Sequence, residues 1–269
     1  MNIINLDKNS NIILIDCSYY IFHRYFATYR WFSFQKVQVD TDQIVENDIF
    51  INAFYKHINN DINKLCKFWK TNVNNIILCN DCMRSDIWRN DLYDKYKSTR
   101  TQKTNFNKKI FNIFGEYIKK LGIKSLYSDR LEGDDIVYIS QKNIKNITDK
   151  NVIIITNDND FLQLVDNNVL VYNMQFKELK KRGFNDPVVD LLYKVIFGDR
   201  SDNIPKIGNG ITKEKALNLA KMNEVDRNKY LKDNNLEDKF NFNMSLVSFE
   251  RIPSEHIEKF NKNVVINLL

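Results

Sequence analysis

Acidic side chains come directly after short apolar runs in this 269-residue sequence: Asp16 after Ile12 to Ile15, Asp81 after Ile76 to Asn80, and Asp158 with Asp160 after Val152 to Thr156. Glu132, Asp134 and Asp135 form a further group at the start of a helical pattern, and Asp199 and Asp202 lie three apart in a Gly/Pro turn region. Any one of these reads equally well as a helix cap or turn residue, for which Asp is favoured. The group does not. Two carboxylates ~4 Å apart repel by about 4 kcal/mol at an effective dielectric of roughly 20, so several in one crevice require a cation or raised pKa values. With no His or Cys among them, the donors suit hard cations, and Mg²⁺ or Mn²⁺ are the expected occupants. The chemistry implied is phosphoryl transfer, in which two ions roughly 4 Å apart orient a water on one side of a phosphodiester and stabilise the leaving oxygen on the other.

Beside them the composition changes. Between Asp81 and Leu121, Arg84, Arg89, Lys95, Lys97, Arg100, Lys103, Lys108 and Lys109 are interleaved with Trp88, Tyr93 and Tyr96. Cations neutralise phosphates and aromatic faces stack unpaired bases, so this segment suits a single-stranded nucleic-acid end. Alone, it reads as a solvated helix face with a few core aromatics; next to the carboxylates the nucleic-acid reading prevails.

What must position these groups is a sheet. Ile12 to Asp16, Ile76 to Asn80 and Val152 to Thr156 read as buried strands, with Ile123 to Tyr127 a possible strand and Val169 to Asn173 an edge strand. Helical spacing separates them over Ile49 to Trp69, Ile110 to Leu121 and Ile136 to Ile147. The alternation predicts an α/β fold with a mostly parallel central sheet and helices on both faces, whose strand ends converge on one ligand crevice. After Val169 to Asn173 no convincing strand follows and helical patterns run to the C-terminus, placing a boundary near Lys181. Pro205, Gly208 and Gly210 precede the helical stretch from Thr212 to Lys221 and predict a tight hairpin between helices.

Composition narrows the class. With 43% hydrophobic residues, 7 Gly and 3 Pro, a disordered or fibrous chain is excluded, and the net charge of +6 permits a polyanionic partner. No run of 18 apolar residues occurs and Met1 to Asp16 has no signal-peptide pattern, so an unexported protein with no membrane partner is expected. Cys17, Cys66, Cys79 and Cys82 are too few and too irregular for a disulfide framework, which favours a reducing, cytoplasmic compartment. Cys79 and Cys82 form a CxxC, but His23, His57 and His256 are scattered and a buried thiol ending a strand explains it better than zinc. An aspartyl-nucleophile phosphatase needs a second Asp two residues after Asp16, where Ser18 stands.

These motifs resemble the 5′ nuclease family of flap endonucleases and polymerase-associated 5′ to 3′ exonucleases, from Ile12 to about Ala216. LIDCSYYIFHRYFA supplies an Asp after the first strand and an Arg on the next helix, here Asp16 and Arg24. IILCNDCMRSDIWRNDLYDKYKSTR is similar to the family's strand, Asp, Arg and YKxxR pattern. EGDDIV and TNDNDFLQLV match its EADD and DxDxxQL segments, and GDRSDNIPKIG resembles the GDxSDNIPG signature. The spacing around Trp88, Tyr96, Lys97 and Arg100, with Asn243 to Phe260, is most similar to the phage ribonuclease H branch, for which the compartment would be the host cytoplasm.

The resemblance implies a PIN-like α/β nuclease domain over residues 1–181 with a basic helical arch at about 84–110, and a smaller helical DNA-binding domain over 182–269 with a helix-hairpin-helix-type motif. It implies two Mg²⁺, replaceable by Mn²⁺: one held by Asp16, Asp81, Glu132, Asp134 and Asp135, the other by Asp158, Asp160, Asp199 and Asp202, with Asp81 and Asp134 counted as catalytic. Lys97 and Arg100 would contact the scissile phosphate and Tyr96 would stack on terminal bases, with Arg24, Arg84, Arg89 and Lys103 along the nucleic acid. Lys206, Gly208 and Gly210 would bind duplex backbone, although KIGNGITKEKA is one residue longer than the family's GVPGIGxKTA. The implied activity is removal of RNA primers or flaps, by a monomer acting on DNA or RNA–DNA hybrid with a 5′ end or flap. A single-strand-binding protein or sliding clamp is a conceivable partner, although no QxxLxxFF peptide is present. Two rivals remain at this point: a toxin-type endoribonuclease sharing the sheet and crevice, and a catalytically silent protein that binds branched DNA. The preference between RNA and DNA strands is open, because no residue identifies a 2′-OH contact.

Overall fold

Runs of Ile, Leu and Val too short for helices and apolar on both faces make the strands of the central sheet. The computed structural model describes residues 2–35, 40, 43–100 and 106–269. Strands β1 (Asn2–Leu6) and β2 (Ile12–Asp16) are followed by helices α1 (Cys17–Ser33) and α2 (Asp48–Trp69), then β3 (Ile76–Cys79) and the one-turn helix α3 (Arg89–Leu92). Next come α4 (Lys109–Lys120), β4 (Lys124–Leu126), α5 (Gly133–Lys145), β5 (Val152–Ile155) and β6 (Val169–Tyr172). Helices α6 (Pro187–Phe197), α7 (Lys213–Lys221), α8 (Glu224–Asp233), α9 (Glu237–Val247) and α10 (Ser254–Asn263) lead to β7 (Val264–Leu268).

Five strands form one parallel sheet in the order β4-β3-β2-β5-β6. β2, β3 and β5 are buried throughout, as expected for strands covered on both faces. This sheet starts at its centre with β2, builds outward through β3 and β4, then returns to add β5 and β6 on the other side. The order therefore reverses between β2 and β5, and a crevice opens beyond their carboxyl ends. Among the described residues two large apolar clusters fill the opposite faces of this sheet, one under α5 and the other under α1, α2 and α4.

Three sequence expectations change. The chain ends in a strand: β7 pairs in parallel with β1 from Asn2–Val264 to Leu6–Leu268, a second sheet that local pattern could not disclose because its partner lies at the other end of the chain. Second, Phe249, Ile252, Phe260 and Val264 pack into the same cluster as Ile12, Leu14 and Ile154, so the chain's last stretch returns to the sheet core. A third cluster, from Val189 to Val247, unites α6, α7 and α9 with Cys82, Ile87 and Tyr96. The boundary near Lys181 is thus crossed by packing in both directions. Third, the segment 84–110 is not a long helical arch in its described part: it holds a three-residue 3-10 turn at Arg84–Asp86, the short α3 and successive turns up to Arg100.

Candidate active site

The strand ends aim the carboxylates into one place. Asp16 closes β2 and caps α1, its Oδ1 accepting from the Tyr19 amide at 3.0 Å, while its Oδ2 accepts from the Thr156 hydroxyl beyond β5 at 2.8 Å. Asp81 follows β3 and accepts from the Ser18 hydroxyl and from the Gly133 amide, 2.7 Å away at the start of α5. Asp134 lies in the first turn of α5, where the free amides of a helix N-terminus favour negative charge. Asp158 accepts from the Asp160 amide at 2.9 Å. Burial, with the charge of Asp81, pushes the Asp16 carboxyl up to about 7. Asp134 is raised well above the usual carboxylate range by burial, which Lys97 counters in part and Asp16 and Asp158 reinforce.

A second group forms where α6 and the turn after it approach Asp160. Carboxylate oxygens of Asp160, Asp199 and Asp202 lie within 4.8 Å of one another, a spacing that can hold a metal ion. The Lys194 ammonium donates to Asp160 and, at 2.7 Å, to Asp199. Burial would raise the Asp199 carboxyl, but Lys194 overrides it and holds the group at about 2. Asp160 is pushed up to about 6 by burial and by Asp158, against the pull of Lys194. Asp158 sits between the groups: it lines both clefts at the site and its charge raises Asp16, Asp134 and Asp160 alike.

Gly198 sets the second group's geometry. Its φ of 75° with ψ of 178° lies in a region open essentially to glycine, and an added Cβ would fall 2.5 Å from the Ile204 carbonyl. Asp199 and Ile204 then exchange backbone hydrogen bonds at 2.9 and 2.7 Å, which fixes the turn. Gly198→Ala is expected to cost about 1–3 kcal/mol and lower the metal-free melting temperature by roughly 5 °C, with weaker divalent-ion binding at the second group, as thermal denaturation and calorimetric titration would register.

Several predicted site residues lie elsewhere. Asp135 is 0% exposed and lines neither cleft, and its oxygens accept from both Arg89 terminal nitrogens, the Trp88 indole and the Glu132 amide at 2.8 to 3.1 Å. Arg89 is buried at 3% exposure and bonds Asp135, Glu132 and the Leu246 carbonyl, so it braces the interior. Tyr96 is buried with its hydroxyl on Glu132 at 3.0 Å, and no face is left for a base. Arg24 pairs with Asp61 across α1 and α2, at 2.5 Å. For Arg24 and Arg89 the cause is the same: a cation beside buried carboxylates is drawn inward by the charge it balances.

Glu132 belongs to both settings. Burial would raise its carboxyl, yet Lys97 and Arg89 hold it at about 2, and it still lines the smaller cleft. Lys97 donates to Glu132 and lies in the left-handed region at φ 53°, fixed by its amide on the Asp202 carbonyl at 3.0 Å. Arg100 pairs with Asp202, yet its side chain keeps 45% exposure and lines both clefts. Arg84 is exposed on the smaller cleft. Lys103 lies outside the described residues. Lys206 donates to the Ile211 carbonyl at 2.7 Å over the Phe197 ring; Gly210 takes φ 78° in the turn before α7, and Gly208 leaves room for Leu236.

The clefts, of about 360 and 780 Å³, share Asp16, Tyr19, Phe22, Arg100 and Asp158. Sequence reasoning missed Ser18 and Thr156, which orient Asp81 and Asp16, and Lys194 and Arg182, which line the larger cleft. Thr156 stood inside a quoted motif; Lys194, one lysine among many on a helical pattern, carried no signal.

A parallel sheet with carboxylates crowded at its switch point, flanked by cations in two open clefts, is the fold and site of a nuclease. The chain belongs to the 5′-3′ exonuclease family, whose N-terminal resolvase-like domain matches residues 11–188. It is 29% identical over 233 residues to a 5′-3′ exonuclease of Bacillus subtilis (strain 168), covering 82% of this chain and 73% of that protein. To a 5′-3′ exonuclease of Buchnera aphidicola subsp. Schizaphis graminum it is 28% identical over 238 residues, covering 86% and 75%. The fold matches bacteriophage T5 5′-exonuclease with bound divalent metal ions (zinc) at a TM-score of 0.64 and 20% identity, over 94% of this chain and 97% of that one. A T5 flap endonuclease in a pseudo-enzyme–product complex with DNA and metal ions matches at 0.63, with 20% identity and the same coverage. The protein is therefore an enzyme, a nuclease hydrolysing phosphodiester bonds. No helix among the described residues is long and apolar enough to cross a membrane.

Proposed function

We propose that this nuclease is metal-dependent and cuts at the 5′ ends of duplex, flapped or RNA-primed DNA, removing primers or flaps during replication and repair. The observation that carries the reading is the pair of clefts meeting at Asp16, Asp158 and Arg100, both lined by carboxylates and cations together. The all-oxygen donor set fits hard divalent ions, Mg²⁺ with Mn²⁺ as substitute: Asp16, Asp81, Glu132 and Asp134 for one, Asp160, Asp199 and Asp202 for the other, with Asp158 between. When bound, such ions supply activation of water and neutralisation of charge at the phosphodiester. The chain's own groups do the positioning. Among the described residues Arg100 is the cation that lines both clefts, and it is assigned to the scissile phosphate, where a guanidinium can bind two oxygens at once. Lys97 orients Glu132 and faces the same cleft, and Ser18 and Thr156 hold the rotamers of Asp81 and Asp16. The turn between α6 and α7, with Lys206, Gly208 and Gly210, is proposed as the helix-hairpin-helix that receives duplex backbone, and the helices from α6 to α9 as the DNA-binding part of a monomer.

The T5 enzyme's capture with DNA and metal ions supports this reading. Product mapping tests it: end-labelled 5′-flap, nicked duplex, RNA-primed duplex and single-stranded RNA are incubated with Mg²⁺ and with EDTA. Short products released from 5′ ends, absent in EDTA, are expected. Cutting confined to the single-stranded RNA would instead make the protein an endoribonuclease on the same scaffold.

A further inference from the structure

The second carboxylate group already contains a cation, and it belongs to the chain. Lys194 leaves the last turn of α6 and its Nζ contacts two of the three carboxylates, Asp160 and Asp199, whose oxygens together with that of Asp202 lie within 4.8 Å. Buried negative charges need a partner, and in the metal-free protein this ammonium is the partner of Asp160 and Asp199, as Arg100 is of Asp202. An ammonium and a divalent ion cannot both hold the same carboxylate oxygens. Lys194 also lines the 780 Å³ cleft, the space adjoining its flexible four-carbon stem.

We propose that Lys194 is a built-in counter-cation that competes with the divalent ion for Asp160 and Asp199, so that loading this group requires the ammonium to swing out into the larger cleft. The inference rests on the metal reading given above. Its consequence is an order of loading. At the first group, Lys97 is engaged with Glu132, but among the described residues Asp16, Asp81 and Asp134 are in no ion pair, so a divalent ion on those three relieves repulsion without displacing a bound cation from them. The second group must first give up Lys194, and its apparent affinity is reduced by the fraction of protein in which the lysine has left.

Calorimetric titration of Mn²⁺ into the whole chain, with no nucleic acid present, tests this. Wild type should show a tighter and a weaker class of site. Lys194→Met should tighten the weaker class by on the order of tenfold, leave the tighter class unchanged, and enlarge the rise in melting temperature that Mn²⁺ produces. Lys194→Arg, which keeps the charge, should stay at or below the wild-type affinity. If Lys194→Met does not fold without metal, Lys194→Gln, whose amide still donates to the carboxylates, should show the same tightening. Unchanged or weaker affinity in the neutral variants overturns the competition while leaving the nuclease reading intact. Wild-type protein that binds no Mn²⁺ would remove the metal sites and this role with them.

Discussion

Asp158→Asn is expected to slow cleavage of a 5′-flap substrate by on the order of 10³-fold or more, while binding in EDTA stays within about twofold. The substitution keeps shape and removes one charge from the position common to both clefts, where the Asp158 carboxylate raises Asp16, Asp134 and Asp160. Because those neighbours repel it, the metal-free variant should also be more stable, by roughly 1 kcal/mol and a few degrees in melting temperature. Loss of activity with gain of stability is the mark of a site that tolerates repulsion in order to hold cations. Single-turnover cleavage, anisotropy in EDTA and thermal denaturation measure the three quantities. Normal turnover would falsify the metal assignment.

Arg89→Ala should destabilise the fold by about 3–5 kcal/mol, a fall in melting temperature of roughly 10 °C. Arg89 joins Asp135 and Glu132 on α5 and its cap to the Leu246 carbonyl at the end of α9, and all three partners are held at 2.8 to 2.9 Å. Removing it leaves the Asp135 carboxylate, 0% exposed, with the Trp88 indole and one amide but no countercharge. The double variant Arg89→Met with Asp135→Leu removes both charges and should lose clearly less than the single one, because no buried ion is orphaned. Equal losses in the two proteins would show that packing, not charge, sets the cost. Cleavage should fall further than stability alone explains, since Glu132 loses one of the cations that orient it.

Much of the architecture was legible because it is written locally. β2, β3 and β5 were readable as apolar runs, and the switch point at their carboxyl ends follows from alternation with long crossovers. The pairing of β7 with β1 was not, since a strand of Val264, Val265 and Ile266 after an amphipathic helix reads as more helix until its partner 262 residues away is known. In the described part of the basic segment a related reason holds: Trp88, Arg89 and Tyr96 have the composition of a nucleic-acid surface, and only the nearby buried Asp135 and Glu132 turn them inward.

The carboxylates divide in the same way. By itself the sequence determined their identity and their places after strands, because side-chain chemistry and strand periodicity are properties of neighbouring residues. Only the tertiary structure decided which of them face a cation. It withdrew Asp135 into a buried ion pair, set Asp158 between two groups, and brought Lys194 onto Asp160 and Asp199. Burial and Coulomb interaction depend on distances between segments far apart in the chain, and no spacing along the chain encodes them.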